Sequence, residues 1–258
     1  MAFAQTAGRR PIEGAVATLG VSDRVTFLRR TYGLLGVSLI AFAAITGGVL
    51  RFATQSSYHY SMWALRGGQW NWLIVMAAFM GVGYLAQRLA QSDTSRGVQL
   101  GGLGLAVVAQ SLMLQPLLWV LFLNFGNHAA LRSGVLMSGQ AGSILMQAVV
   151  ITLAIFIGLT LTVFLSKKDF SFMRGALSIG SFAVIGVILA SILFGFSLGA
   201  LFCGAVILLM AGYILYQTSL VMSHFPPTAF VAAALMLFST IATLFWYVLQ
   251  LLMSLNRR

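Results

Sequence analysis

Residues 229–253 read AFVAAALMLFSTIATLFWYVLQLLM, a run without a single charge. A bilayer's hydrocarbon core takes about 20 apolar residues to cross as a helix, and this stretch has that length. It is not uniformly apolar, however. Thr240, Thr243, Tyr247 and Gln250 follow one another at spacings of three, four and three, with Ser239 beside them. On a helix these positions share one face. Hydrocarbon offers polar groups no partners, so the stretch predicts a span whose polar stripe turns toward other protein.

Six more apolar runs precede it, at roughly 31–50, 71–89, 98–123, 139–165, 175–195 and 198–222. The expected fold is therefore all-α, a polytopic membrane protein built as a seven-transmembrane-helix bundle. The composition agrees: 60% of residues are hydrophobic, 7% are charged and the mean hydropathy is +0.96. Too few charges exist to coat a soluble core of this size. The formal net charge of +11 does not point to nucleic acid, because the basic residues sit at the ends of apolar runs and not on one solvated face.

Those basic residues set an expected topology. With the amino terminus cytoplasmic, the inner segments hold Arg9, Arg10, Arg24, Arg29, Arg30, Arg88, Arg96, Lys167, Lys168 and Arg174. The outer segments then hold Arg51, Arg66, Arg132, Arg257 and Arg258. The two-to-one bias follows the positive-inside rule, with Arg257 and Arg258 against it. Residues 1–29 read as a mobile cytoplasmic leader and 30–258 as one transmembrane domain. The leader has no continuous apolar core of the kind a cleavable signal carries. The long outer segment after the first span holds Tyr58, His59, Tyr60, Trp63, Trp70 and Trp72, which an interfacial aromatic belt explains.

The acidic residues narrow the chemistry. Glu13, Asp23, Asp93 and Asp169 all lie before the first run or between runs. An ionisable group at membrane depth is costly and usually marks a proton or ion path; none is expected here. His59, His128 and His224 fall in loops without a second ligand at metal spacing, so no metal is expected. The twelve methionines form no copper-type cluster, and the lone Cys203 reads as packing material. A serine protease would need a histidine at membrane depth, and a retinal protein a lysine in a span; neither is found, and no cofactor is expected.

The polar residues inside spans are the candidate site. The seventh span brings Thr240, Thr243 and Tyr247, and the sixth Tyr213 and Gln217, four apart, with Tyr216 beside them. The third has Ser111 and Gln115 before Pro116, and the fourth Gln140, Ser143 and Gln147. Such residues either line a central polar cavity or act as interhelical glue. Arg88, four residues after Tyr84, is either a snorkelling end-cap or, with His224, part of an inner gate.

The segment Ser166-Lys167-Lys168-Asp169-Phe170-Ser171-Phe172-Met173-Arg174-Gly175 resembles the inner loop of the Bax inhibitor-1 (transmembrane Bax inhibitor motif) family. Leu28-Arg29-Arg30-Thr31-Tyr32, Gly212-Tyr213-Ile214-Leu215-Tyr216-Gln217-Thr218-Ser219 with His224 following, and the end of the seventh span from Leu244-Phe245 to Leu251-Leu252 agree with it. The resemblance implies a seven-helix bundle with the last helix near its centre, and the chain looks like a bacterial-type member. It also implies a regulatory role in the bacterial inner membrane, in quality control or stress response, through membrane partners such as a membrane protease. Leak-competent members carry an acidic pair on the sixth and seventh helices. The matching positions here are Gln217 and Thr240, which cannot titrate near neutral pH. A leak with a neutral filter is the alternative expectation, and pH-gated calcium leak is not expected.

Overall fold

The computed structural model describes residues 21–92, 95–127, 136, 138–166 and 169–257. The expected positions Arg9, Arg10, Glu13, Asp93, His128, Arg132, Lys167, Lys168 and Arg258 lie outside them. Among the described residues the chain is all helical: α1 (Val21–Phe52), α2 (Thr54–Arg66), α3 (Gln69–Ala90), α4 (Arg96–Phe125), α5 (Gln140–Ser166), a 3₁₀ turn (Ser171–Met173), α6 (Arg174–Phe194), α7 (Ala200–Ser223) and α8 (Phe230–Leu255). Seven of these helices are long and apolar enough to cross a membrane, and α2 is not among them.

Six spans begin and end within a few residues of their expected places. The first differs. Helix α1 starts at Val21, so residues 21–29 of the expected leader are its opening turns; residues 1–20 lie outside the described residues. Asp23 sits exposed in the first turn of α1, where a carboxylate complements the positive end of the helix dipole.

Helix α2 is the second difference, since it occupies what reads as a loop. Ser57, Ser61 and Ala64, spaced four and three, are its buried residues. Small side chains on one stripe let α2 lie closely against α4. Trp119 of α4 donates its indole N–H to the Ser57 hydroxyl at 2.9 Å, and Ser57 donates to Gln115 Oε1 at 2.8 Å. Gln115 in turn donates to the carbonyls of Ser111 and, on α1, Thr46 at 3.2 and 3.4 Å. The polar pair of the third span is therefore a tie between α1, α2 and α4.

Helices α8 and α4 form the centre. Of the most apolar stretch of each, 67% and 61% is buried, against 6% for α6. Helix α8 packs on α1, α3, α4, α5 and α7, while α6 leans on α7. Ala233, Ala234 and Ala242 are buried on α8, and Phe42 of α1 meets Phe238 and Phe245 edge-on. Helix α4 approaches α3 so closely that a side chain on Gly102 would fall 2.6 Å from the Ala86 carbonyl. Lipid tails are as apolar as the helices, so this close contact, and not water exclusion, holds the bundle.

The polar face of the fourth span does not join the core. Gln140, Ser143 and Gln147 are exposed on α5, whose buried face is Ala141, Ile144, Ala148, Thr152, Phe156, Thr160 and Val163. They occupy the first two turns of the helix, and Ser143 finds the Gln140 carbonyl at 2.8 Å. Near a helix end, the interface supplies the partners that hydrocarbon lacks.

Candidate functional site: a neutral pair beside the central helix

Helix α7 runs antiparallel beside α8, joined to it by the turn that contains His224, and the two share a long contact. That pairing brings Gln217 and Thr240 together. The Thr240 hydroxyl donates to Gln217 Oε1 at 2.9 Å and also approaches the Met236 carbonyl of its own helix at 3.2 Å. Both side chains are 7% exposed. The Gln217 amide nitrogen has no acceptor among the described residues, which leaves a neutral donor beside the pair.

The pair borders a cavity of about 410 Å³ near the His224 end of the bundle. Helix α7 contributes Met210, Tyr213 and Gln217, α8 contributes Ser239, Thr240 and Thr243 among others, and α3 and its C-cap contribute Gln87 and Gln91. Among the described residues no carboxylate, histidine or cation lines it. Gln87 and Gln91 were not expected at the site. Their spacing of four, which aligns them at the end of the second span, was the available signal.

The other expected residues divide. Thr243 lines the cavity but returns its hydroxyl to the Ser239 carbonyl at 2.8 Å. The Tyr213 hydroxyl turns to α6, 2.8 Å from Ser181 Oγ and 3.3 Å from the Leu177 carbonyl, to which it donates. Tyr247 stands one turn farther along α8, edge-on to Phe202, and lines no part of this cavity. Arg88 is exposed, donates to the Tyr84 hydroxyl at 2.8 Å and covers that ring; its neighbours Gln87 and Gln91 face the cavity instead. His224 caps the end of α7 with Nδ1 2.5 Å from Ser223 Oγ, outside the cavity lining.

A second polar cluster closes the same end. Asp169 Oδ1 accepts from the backbone N–H of Ser171 at 2.9 Å, from the Ser171 hydroxyl and from Ser219 of α7 at 3.2 Å. The Phe170 N–H donates to Ser219 Oγ at 3.1 Å. Partial burial would raise the Asp169 carboxyl. The hydrogen bonds from Ser171 and Ser219, with His224 nearby, outweigh that and hold it below the usual carboxylate range. The loop that carries the family resemblance is thereby pinned to α7, two residues beyond Gln217.

At the opposite end of α8 a separate cavity of about 380 Å³ is lined by Trp72, Trp246, Gln250, Ser254 and Arg257 among others. Gln250 lies seven positions beyond Thr243, about 10 Å along a helix. Tyr247 lies in that interval and lines neither cavity. Among the described residues no group of three or more His, Cys, Asp and Glu side chains could hold a metal.

Known proteins resemble the chain along nearly its whole length. The chain is 26% identical to Bax inhibitor 1 of Schizosaccharomyces pombe over 92% of its own length and 79% of the relative's. It is 28% identical to an uncharacterized protein of Pseudomonas aeruginosa, covering 87% of each, and 24% identical to protein lifeguard 4 of the mouse, covering 94% and 91%. No solved structure matches. The model of the family described as inhibitor of apoptosis-promoting Bax1 matches residues 24–257. Seven apolar helices, the α8-centred packing and that match establish one conclusion: the chain is an integral membrane protein of the Bax inhibitor-1 family.

Proposed function

We propose that the protein is a regulatory member of this family whose central site is permanently neutral. It acts by contact with other membrane proteins, a membrane protease among them, in quality control or stress response. The observation that carries the reading is the buried hydrogen bond from Thr240 to Gln217. A hydroxyl and an amide hold α7 against α8 at every physiological pH, so proton uptake at this pair cannot open the bundle. The similarity to a Pseudomonas aeruginosa protein supports placement in a bacterial inner membrane, and the arginine and lysine bias supports a cytoplasmic amino terminus.

The reading is tested in native membranes by in-cell cross-linking of the full chain and mass spectrometry. Reproducible capture of defined membrane proteins is expected, unchanged between mildly acid and neutral medium. Loss of every specific partner would contradict it.

A second reading, a leak with a neutral filter, draws on the two cavities that share one face of α8. In that reading Gln217, Thr240 and Thr243 supply uncharged oxygens, and Tyr247 with Phe202 interrupts the route between the cavities. Replacing Tyr247 by Ala should then raise ion flux in liposomes severalfold.

A further inference from the structure

The cavity at the Arg257 end has a lining chemistry that the central site does not share. Helices α2, α3, α4, α7 and α8 and the α6–α7 connection all reach it. Its polar groups are mostly donors: the Arg257 guanidinium, the Gln250 amide, the Ser254 hydroxyl and the indole N–H groups of Trp72 and Trp246. Gln250 Oε1 is occupied, receiving the Cys203 thiol at 3.8 Å. The donors themselves have no acceptor among the described residues. Among the described residues no carboxylate lines the cavity, so Arg257 brings a positive charge that none of them neutralises there.

Arg257 is exposed at the mouth of this half-open cavity, and a cation there with further donors beside it is the chemistry that receives an anion. Its surroundings narrow the kind. Trp72 and Trp246 stack with ring centroids 6.4 Å apart, and tryptophan concentrates at headgroup depth in membranes. Pro116, Leu117 and Leu198 make the rest of the wall apolar. The volume falls at the small end of the range for small-molecule sites, about 300–1,000 Å³. Guanidinium binds a phosphate diester through paired N–H bonds.

We infer that this cavity binds the phosphate headgroup of an anionic phospholipid, with Arg257 and Ser254 on the phosphate and the Trp72–Trp246 pair beside the glycerol. A lipid wedged between α2, α3, α7 and α8 ties the Arg257 end of the central helix to the composition of its leaflet.

The test uses the full chain in detergent, titrated with phosphatidylglycerol, phosphatidylcholine or inorganic phosphate, with tryptophan emission and native mass spectrometry as readouts. Phosphatidylglycerol should bind and the other two should not compete with it. Arg257→Gln, at an exposed position, should weaken binding about tenfold, the loss expected for one charged hydrogen-bonding contact, and Ser254→Phe, which narrows the cavity without changing charge, should weaken it as well. Arg51→Gln, at the same end of the bundle but outside the cavity, should bind as the native chain does. Equal losses in Arg51→Gln and Arg257→Gln would reduce the effect to surface charge and overturn the assignment. Full binding by Ser254→Phe, or equal binding of phosphatidylcholine, would overturn it too. Displacement by inorganic phosphate would assign the site to the free anion instead.

Discussion

At Thr240 a single oxygen ties two helices. Thr240→Val keeps the shape and removes the donor, leaving Gln217 with a buried, unmet acceptor. A side-chain bond of this kind within a membrane bundle is worth roughly 0.6–1.7 kcal/mol. A double-mutant cycle with Gln217→Leu in a detergent or bicelle unfolding assay should return a coupling of that size; a coupling near zero would mean that the bond is incidental. Asp169 makes a different prediction. Its carboxyl is held low in the folded chain, so its contribution is present above the unfolded value, near pH 4, and is lost as pH falls through the folded one. The hydrogen-exchange protection factor across residues 170–174, corrected for the intrinsic exchange rate at each pH, should therefore stay constant from neutral down to about pH 4 and fall below it. Asp169→Asn should abolish that dependence and leave the segment looser at neutral pH.

Elements set where those residues can meet. Gly102 lets α3 and α4 approach, and a larger side chain would run into the backbone at Ala86 and Ala90. Gly102→Leu should force the two helices apart and cost about 1–3 kcal/mol, measurable as a lower unfolding midpoint; Gly101→Leu, where open space awaits the side chain, should not. The spans were legible in the sequence because bilayer thickness is a length that composition reports directly. Helix α2 was not. Its aromatic residues fit an interfacial loop equally well, and only the Ser57–Ser61–Ala64 spacing hinted at a packed face. The candidate site was legible in half. Polar stripes on the sixth and seventh spans located Gln217 and Thr240, because lipid excludes such groups from its own side. The same argument misplaced Gln140, Ser143 and Gln147, which lie close enough to a helix end to find partners outside the core. Which way Tyr213 and Arg88 turn depends on Ser181 and Tyr84, and no periodicity fixes that choice.

For the whole molecule, the deciding property is the lack of charge at the centre. Two half-open cavities lie along one helix, and among the described residues neither is lined by a carboxylate. Calcium favours several oxygen ligands, usually with carboxylates among them, and protonation of a carboxylate is the simplest acid-sensitive gate at membrane depth. The most direct measurement is calcium entry into liposomes that contain the purified full chain, recorded at mildly acid and neutral pH. The native chain should show no flux that changes between the two. The double substitution Gln217→Asp with Thr240→Asp, in a preparation that unfolds cooperatively, should make the flux depend on pH. A strong acid-sensitive calcium leak from the native chain would contradict the neutral centre outright.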